Sequence, residues 1–162
     1  MRRLLTLALL GAVAACADTE PANRDASAAR LEATASDLPT VLVYKTPSCG
    51  CCNGWVEHLE AAGFTVDARN VTDLMSVKRD AGVPVAMSSC HTALIDGYVV
   101  EGHVPVEQVK RLLDERPEIS GIAVPGMPVG SPGMEGPNPQ SYQVLAFGSD
   151  GSTGVYAEIE PR

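Results

Sequence analysis

"TVLVYKTPSCGCCNGWVEHLEAAG", residues 40–63, decides the fold. The branched residues of "TVLVYK" (40–45) predict a buried strand. "TPSCG" turns the chain. "CNGWVEHLEAAG" (52–63) predicts an amphipathic helix stopped by Gly63, with Trp55, Val56, Leu59 and Ala62 near one face. Cys49, Cys51 and Cys52 fall where the strand gives way to the helix.

Downstream, "FTVDARNV" (64–71) alternates like a second strand. "DLMSVKRDAG" (73–82) predicts a helix capped by Thr72 or Asp73 and stopped by Gly82, with Met75 in the core. "TALIDGYVVEG" (92–102) predicts a hairpin around Asp96-Gly97, a strong two-residue turn signal. "PVEQVKRLLDERP" (105–117) predicts a helix with Pro105 in its first turn and Pro117 beyond its end. The order is βαβ, then ββα: a thioredoxin-like α/β fold, with the cysteines at the start of its first helix. "GIAVPGMPVGSPGMEGPNPQ" (121–140) reads as a Gly/Pro/Met loop without period, long enough to need a functional reason. "SYQVLAFGSDGSTGVYAEI" (141–159) reads as a terminal hairpin around Ser149–Thr153.

The N-terminus reads differently. "MRR" is followed by the apolar run "LLTLALLGAV", too short to span a bilayer as a mature helix, and then by "VAAC". This is a secretory signal whose end resembles a bacterial lipobox, with Cys16 as the lipidated residue. Ala17 in place of Asp favours the outer membrane over the inner. The expected organisation is a signal peptide at 1–15, a lipidated start and flexible tether at 16–38, a thioredoxin-like domain at 39–120, and the Met-containing loop with its hairpin at 121–162. The expected address is the periplasm, with the membrane engaged only through the lipid. The formal charge of −8 repels phosphate backbones and argues against nucleic acid as a partner.

Without Cys16, four of the five cysteines remain: Cys49, Cys51, Cys52 and Cys90. Outside the cytoplasm such thiols become disulfides or metal ligands. Cys49 and Cys52 form C-x-x-C at a helix N-terminus, where unsatisfied N–H groups and the helix dipole favour thiolate. Exchange chemistry and metal binding both use that thiolate, so Cys49 and Cys52 are the candidate redox pair as well as candidate ligands. Cys51 favours metal: a third thiol competes with an exchange reaction but adds a soft, bridging donor to a metal site. Cys90, just before the hairpin, supplies a fourth sulfur. An alternative makes Cys90 half of a plain disulfide staple.

Counting back from Asp96-Gly97 places Cys90 opposite His103, so His103 is expected to face the cysteines. His91 is expected to face away if the strand is regular so near its start. His58 reads as a surface residue and Met87 is left unassigned. Met127 and Met134 sit on the irregular loop, where a thioether is a soft neutral ligand suited to Cu(I). Zinc fingers and iron–sulfur sites usually space their cysteines more widely. Clustered Cys with nearby Met and His suits Cu(I) best.

"YKTPSCGCCNGWVEHLEAAGF", "GVPVAMSSCHTALIDGYVVEGHVP" and "GIAVPGMPVGSPGMEG" resemble the CopG-type periplasmic copper-resistance proteins, a thioredoxin-like family long labelled a domain of unknown function. The resemblance runs from about Thr40 to Tyr156. It implies a multinuclear copper–thiolate cluster on Cys49, Cys51, Cys52 and Cys90. It further implies a role in copper tolerance, Cu(I)/Cu(II) interconversion, and other periplasmic copper-handling proteins as partners. Two readings stand beside it: a thiol–disulfide oxidoreductase without metal, and a passive copper carrier. A domain held by two inert disulfides is the plainest reading of all.

Overall fold

The computed structural model describes residues 38–160. Strand β1 (Val41–Lys45) leads through the cysteine turn into helix α1 (Gly50–Ala61). Strand β2 (Val66–Asn70), helix α2 (Leu74–Asp80) and a 3-10 turn (Val85–Met87) follow. Then come β3 (His91–Ile95), β4 (Tyr98–Glu101), helix α3 (Val106–Glu115), β5 (Gly121–Ala123), β6 (Tyr142–Phe147) and β7 (Thr153–Ile159). One mixed sheet runs β2-β1-β3-β4-β5-β6-β7. β1 is parallel to β2 and antiparallel to β3, and β3 pairs antiparallel with β4. This is the thioredoxin-like arrangement.

The larger core lies on one face. Val41, Val43, Ala93, Ile95 and Val100 of the sheet pack with Trp55 and Leu59 of α1 and Val109 and Leu112 of α3. Their spacing follows the two elementary periods: alternate residues along strands, and every third or fourth along helices. The opposite face carries a smaller cluster of Val83, Met87, Val99, Ala123 and Phe147. α2 covers that face and is capped by Asp73, whose carboxylate accepts from Ser76 N at 3.0 Å.

Three expectations are corrected. Residues 121–123 form a strand rather than loop, parallel to β4. Three residues are too few to display alternation, and all three are buried. Met75 is 55% exposed, and Met87 fills the core from the 3-10 turn instead. α2 lasts only seven residues and turns Lys78, not Met75, inward. Pro105 caps α3 from outside the helix rather than opening its first turn.

The tail continues the main sheet. β5 pairs with β6 and β6 with β7, all antiparallel. Of the segments expected at the N-terminus, 1–37 including Cys16 lie outside the described residues. No helix among the described residues is long and apolar enough to cross a membrane.

Candidate metal centre

Cys49 is the N-cap of α1, and Cys51 and Cys52 lie in its first turn. The helix starts here because Pro47 and Ser48 form a turn that closes with Cys49 N donating to Thr46 O at 3.2 Å. Trp55 then locks the helix in place. Its indole N–H donates to Val104 O at 2.8 Å, and its ring lies 4.4 Å from that of His91.

The four sulfurs of Cys49, Cys51, Cys52 and Cys90 lie within 4.8 Å of one another. Two sulfurs on one metal ion stand roughly 3.8–4.6 Å apart from tetrahedral to linear geometry, given metal–sulfur bonds of about 2.3 Å. The four sulfurs are therefore near enough to share metal ions once the Cys49–Cys52 bond is opened. Cys49 and Cys52 are joined as a disulfide, with Cα atoms 5.4 Å apart, while Cys51 and Cys90 are free. Cys52 is fully buried and Cys49 partly exposed. Cys51 Sγ is 3.5 Å from Cys49 Sγ. Cys90 thus forms no disulfide staple. Its thiol is pushed up to about 12, first by burial and then by the neighbouring Cys51.

The register read from Asp96-Gly97 is the one observed: Ile95 faces Tyr98 and Thr92 faces Glu101. One step further out, Cys90 Sγ meets His103 Nε2 at 2.8 Å. His103 is fully buried, and its Nδ1 donates to Pro132 O at 2.7 Å. Burial holds its imidazole below the usual range and therefore neutral at pH 7.

His91 does not face away, and that expectation is corrected. Its Nδ1 is 3.5 Å from Cys90 Sγ, and its ring is 5.1 Å from that of His103 in an edge-on arrangement. The cause is where the strands stop. β3 begins at His91, so Cys90 precedes the strand and is free of its alternation. β4 ends at Glu101, and Gly102 takes a φ of +72° that re-aims His103. His91 keeps the phase of Ala93 and Ile95, on the α1 face. Burial, then His103 and Lys78, depress its pKa well below the usual value.

The Gly/Pro/Met loop folds over the site. Gly133, at φ +81°, is pressed against the first turn of α1. A Cβ there would stand 2.5 Å from Cys51 O and 2.6 Å from Trp55 N. Glu135 Oε1 accepts from Gly133 N at 2.9 Å and meets His58 Nε2 at 2.6 Å. His58 is a surface residue as expected, and it pins the loop. Met134, next to Gly133, is half-buried and Met127 is 52% exposed.

A further anchor was not legible in the sequence. Glu101 is fully buried against Lys78, with Lys78 Nζ donating to its Oε1 at 2.5 Å. Thr92 Oγ1 donates to Oε2 at 2.7 Å, and Ser89 N donates to Oε1 at 2.6 Å. Ser89 precedes Cys90, and its hydroxyl donates to Gly126 O at 2.5 Å, one residue before Met127. A buried carboxylate therefore holds both the Cys90 turn and the start of the loop. The only sequence signal is Glu101 closing the apolar run "YVV".

Solved structures of the same build are known. Two solved structures titled "Copper resistance protein copG", forms 2 and 1, are each 46% identical to the chain. They cover 76% and 78% of it and are themselves covered in full, with TM-scores of 0.73 and 0.72. The chain belongs to the CopG family. A family model described as a protein of unknown function, DUF411, matches residues 87–134, the stretch from Met87 through Cys90 to Met134. No curated protein sequence matches the chain. Membership in a copper-resistance family and a four-cysteine cluster capable of holding metal agree on a copper-related function.

Proposed function

We propose that this CopG-family protein is an exported copper-binding protein of copper tolerance that holds a multinuclear Cu(I)–thiolate cluster. Cys49, Cys51, Cys52 and Cys90 are its ligands. Met127, Met134 and His103 add neutral donors from the loop and the hairpin. The observation that carries the reading is the convergence of four sulfurs within 4.8 Å, two more than the attacking and resolving thiols of an exchange reaction. Cys16 is the proposed lipid anchor, placing the domain in the periplasm and at the outer membrane. Other periplasmic copper-handling proteins supply or receive the ions.

Cys49 and Cys52 give the site an electron reservoir. Two Cu(II) ions accept one electron each from the Cys49/Cys52 dithiolate. The products are two Cu(I) ions and the Cys49–Cys52 disulfide. That Cys49 and Cys52 are near enough to join as a disulfide supports this role. The N-terminus of α1 assists by favouring thiolate.

The test is an anaerobic mixing of fully reduced protein with Cu(II), with free thiols and copper oxidation state followed together. The reading predicts two Cu(II) reduced for each disulfide formed, with the Cu(I) retained on the remaining donors, Cys51, Cys90 and His103, until Cys49 and Cys52 are reduced again. Reduced copper released to solution, or thiols left intact, contradicts it. Copper taken up and passed on without change of oxidation state marks a passive carrier.

The second reading, a metal-free thiol–disulfide oxidoreductase, has one observation in its favour. Cys49 is partly exposed and Cys52 fully buried, the arrangement an attacking and a resolving thiol need. Insulin-type disulfide reduction that survives a strong Cu(I) chelator and the Cys51→Ser change would favour it.

A further inference from the structure

Cys90 belongs to two donor sets. One is the four-sulfur group. The other is Cys90 with His91 and His103, whose ligand atoms also lie within 4.8 Å of one another. We infer that Cys90, His91 and His103 form a second, mixed sulfur–nitrogen metal subsite adjoining the thiolate cluster, complete even when Cys49 and Cys52 are disulfide-bonded. The inference rests on the copper reading above and deepens it by naming where a harder ion such as Cu(II) is held.

The geometry suits a metal ion. With metal–nitrogen bonds of about 2.0 Å and metal–sulfur bonds of about 2.3 Å, tetrahedral ligands stand roughly 3.5 Å apart, sulfur to nitrogen. Cys90 Sγ is 3.5 Å from His91 Nδ1 and 2.8 Å from His103 Nε2. The second contact is a thiol–imidazole hydrogen bond, and a metal replacing its proton would open it by roughly 0.7 Å.

The tautomer is also set. His103 Nδ1 gives its proton to Pro132 O, so Nε2 presents a lone pair toward Cys90. A carbonyl fixing the far nitrogen is the usual support of a ligating imidazole. His91 is fully buried, directs Nδ1 at the same sulfur, and leaves Nε2 without a partner. Ligation through Nδ1 places the His91 proton on Nε2, so what points to the subsite is the approach of Nδ1 to Cys90 and not the unpaired nitrogen. A thiolate with two imidazoles is the donor set of trigonal copper sites that accept both oxidation states, whereas thiolates alone favour Cu(I). Cys90 then links the sets: when Cys49 and Cys52 close their disulfide, it is the ligand common to the site that loses two sulfurs and the site that loses none.

Co(II), which does not oxidise thiols, tests this on the purified protein in its Cys49–Cys52 disulfide form, titrated anaerobically. X-ray absorption counts nitrogen and sulfur ligands, and visible spectra report thiolate–cobalt charge transfer. The expected result is one Co(II) per chain bound by two imidazoles and thiolate sulfur. Cys90→Ser should abolish the charge-transfer band, and His103→Gln should weaken binding by on the order of tenfold or more. The wild-type ligand count needs no variant, so misfolding of either substitution does not hide the answer. No Co(II) bound, or Co(II) bound without imidazole, overturns the subsite. A parallel Cu(I) titration of the reduced protein separates the two failures: Cu(I) uptake with no imidazole-bound Co(II) sinks the subsite alone, whereas no Cu(I) uptake sinks the copper reading beneath it.

Discussion

Replacing Lys78 with Met should be among the most damaging changes available far from the cysteines. The Lys78 and Glu101 side chains are 4% and 0% exposed, and Lys78 Nζ bridges Glu101 Oε1 and Thr92 Oγ1. Without the ammonium, the Glu101 carboxylate keeps only Thr92 O–H and Ser89 N–H to offset its burial. Breaking one partner of a buried pair costs about 3–5 kcal/mol. For a domain of roughly 120 residues the unfolding entropy is about 0.25 kcal/mol per kelvin, so Tm should fall by about 12–20 °C. Thermal unfolding of the reduced, metal-free protein measures this. The double change Lys78→Met with Glu101→Leu removes both charges and should regain most of the loss. It also strips Ser89 N of its acceptor, so Cys90 loosens and Cu(I) affinity should stay low although stability returns. A drop below about 3 °C for Lys78→Met, or a double variant no more stable than the single, would refute the reasoning.

Other outcomes follow from the same contacts. Gly133→Ala combines a φ of +81° with a clash against Cys51 O and Trp55 N. It should cost about 1 kcal/mol or more in stability and lift the loop from α1, which denaturant unfolding and faster amide exchange at 130–135 would register. The depressed pKa values of His91 and His103 mean that the unfolded chain binds protons the folded one does not. Their contribution to stability is complete above about pH 6.5 and is lost as pH falls toward the folded values, by up to about 1.4 kcal/mol per pH unit for each histidine. Urea unfolding of the metal-free protein between about pH 7 and pH 5 should show that decline, and a flat profile would contradict it. Cys90, pushed up to about 12, keeps its proton at neutral pH and must release it to a metal. Cu(I) affinity should therefore rise with pH by about tenfold per unit for that proton, and Cys90→Ser should flatten the slope by one proton.

Much of this was readable from local chemistry. The Asp96-Gly97 turn pins the β3–β4 register, and counting back from it brings Cys90 to His103. The strand, cysteine turn and helix of residues 40–63 suffice for the thioredoxin-like start. What failed depended on where elements end. His91 comes beside His103 because Cys90 precedes β3 and Gly102 takes a left-handed φ, so the alternation extrapolated outward from the turn does not hold at those ends. β5 is too short for a period to show. Met75 is exposed because α2 turns Lys78 inward instead, and seven residues are too few for a period to show which face packs. Nothing in the sequence marks Lys78 and Glu101 as a buried pair, because burial of an ion pair leaves no trace in residue type.

The central claim is that all four cysteines act as one metal-holding unit. An anaerobic Cu(I) titration of the reduced protein against a competing chelator, with metal-to-protein stoichiometry as the readout, tests it most directly. The account predicts several tightly held copper ions per chain, lost together when Cys51 is changed to Ser. One weakly held ion or none, with Cys51→Ser leaving disulfide reduction intact, would contradict it and leave a thiol–disulfide oxidoreductase.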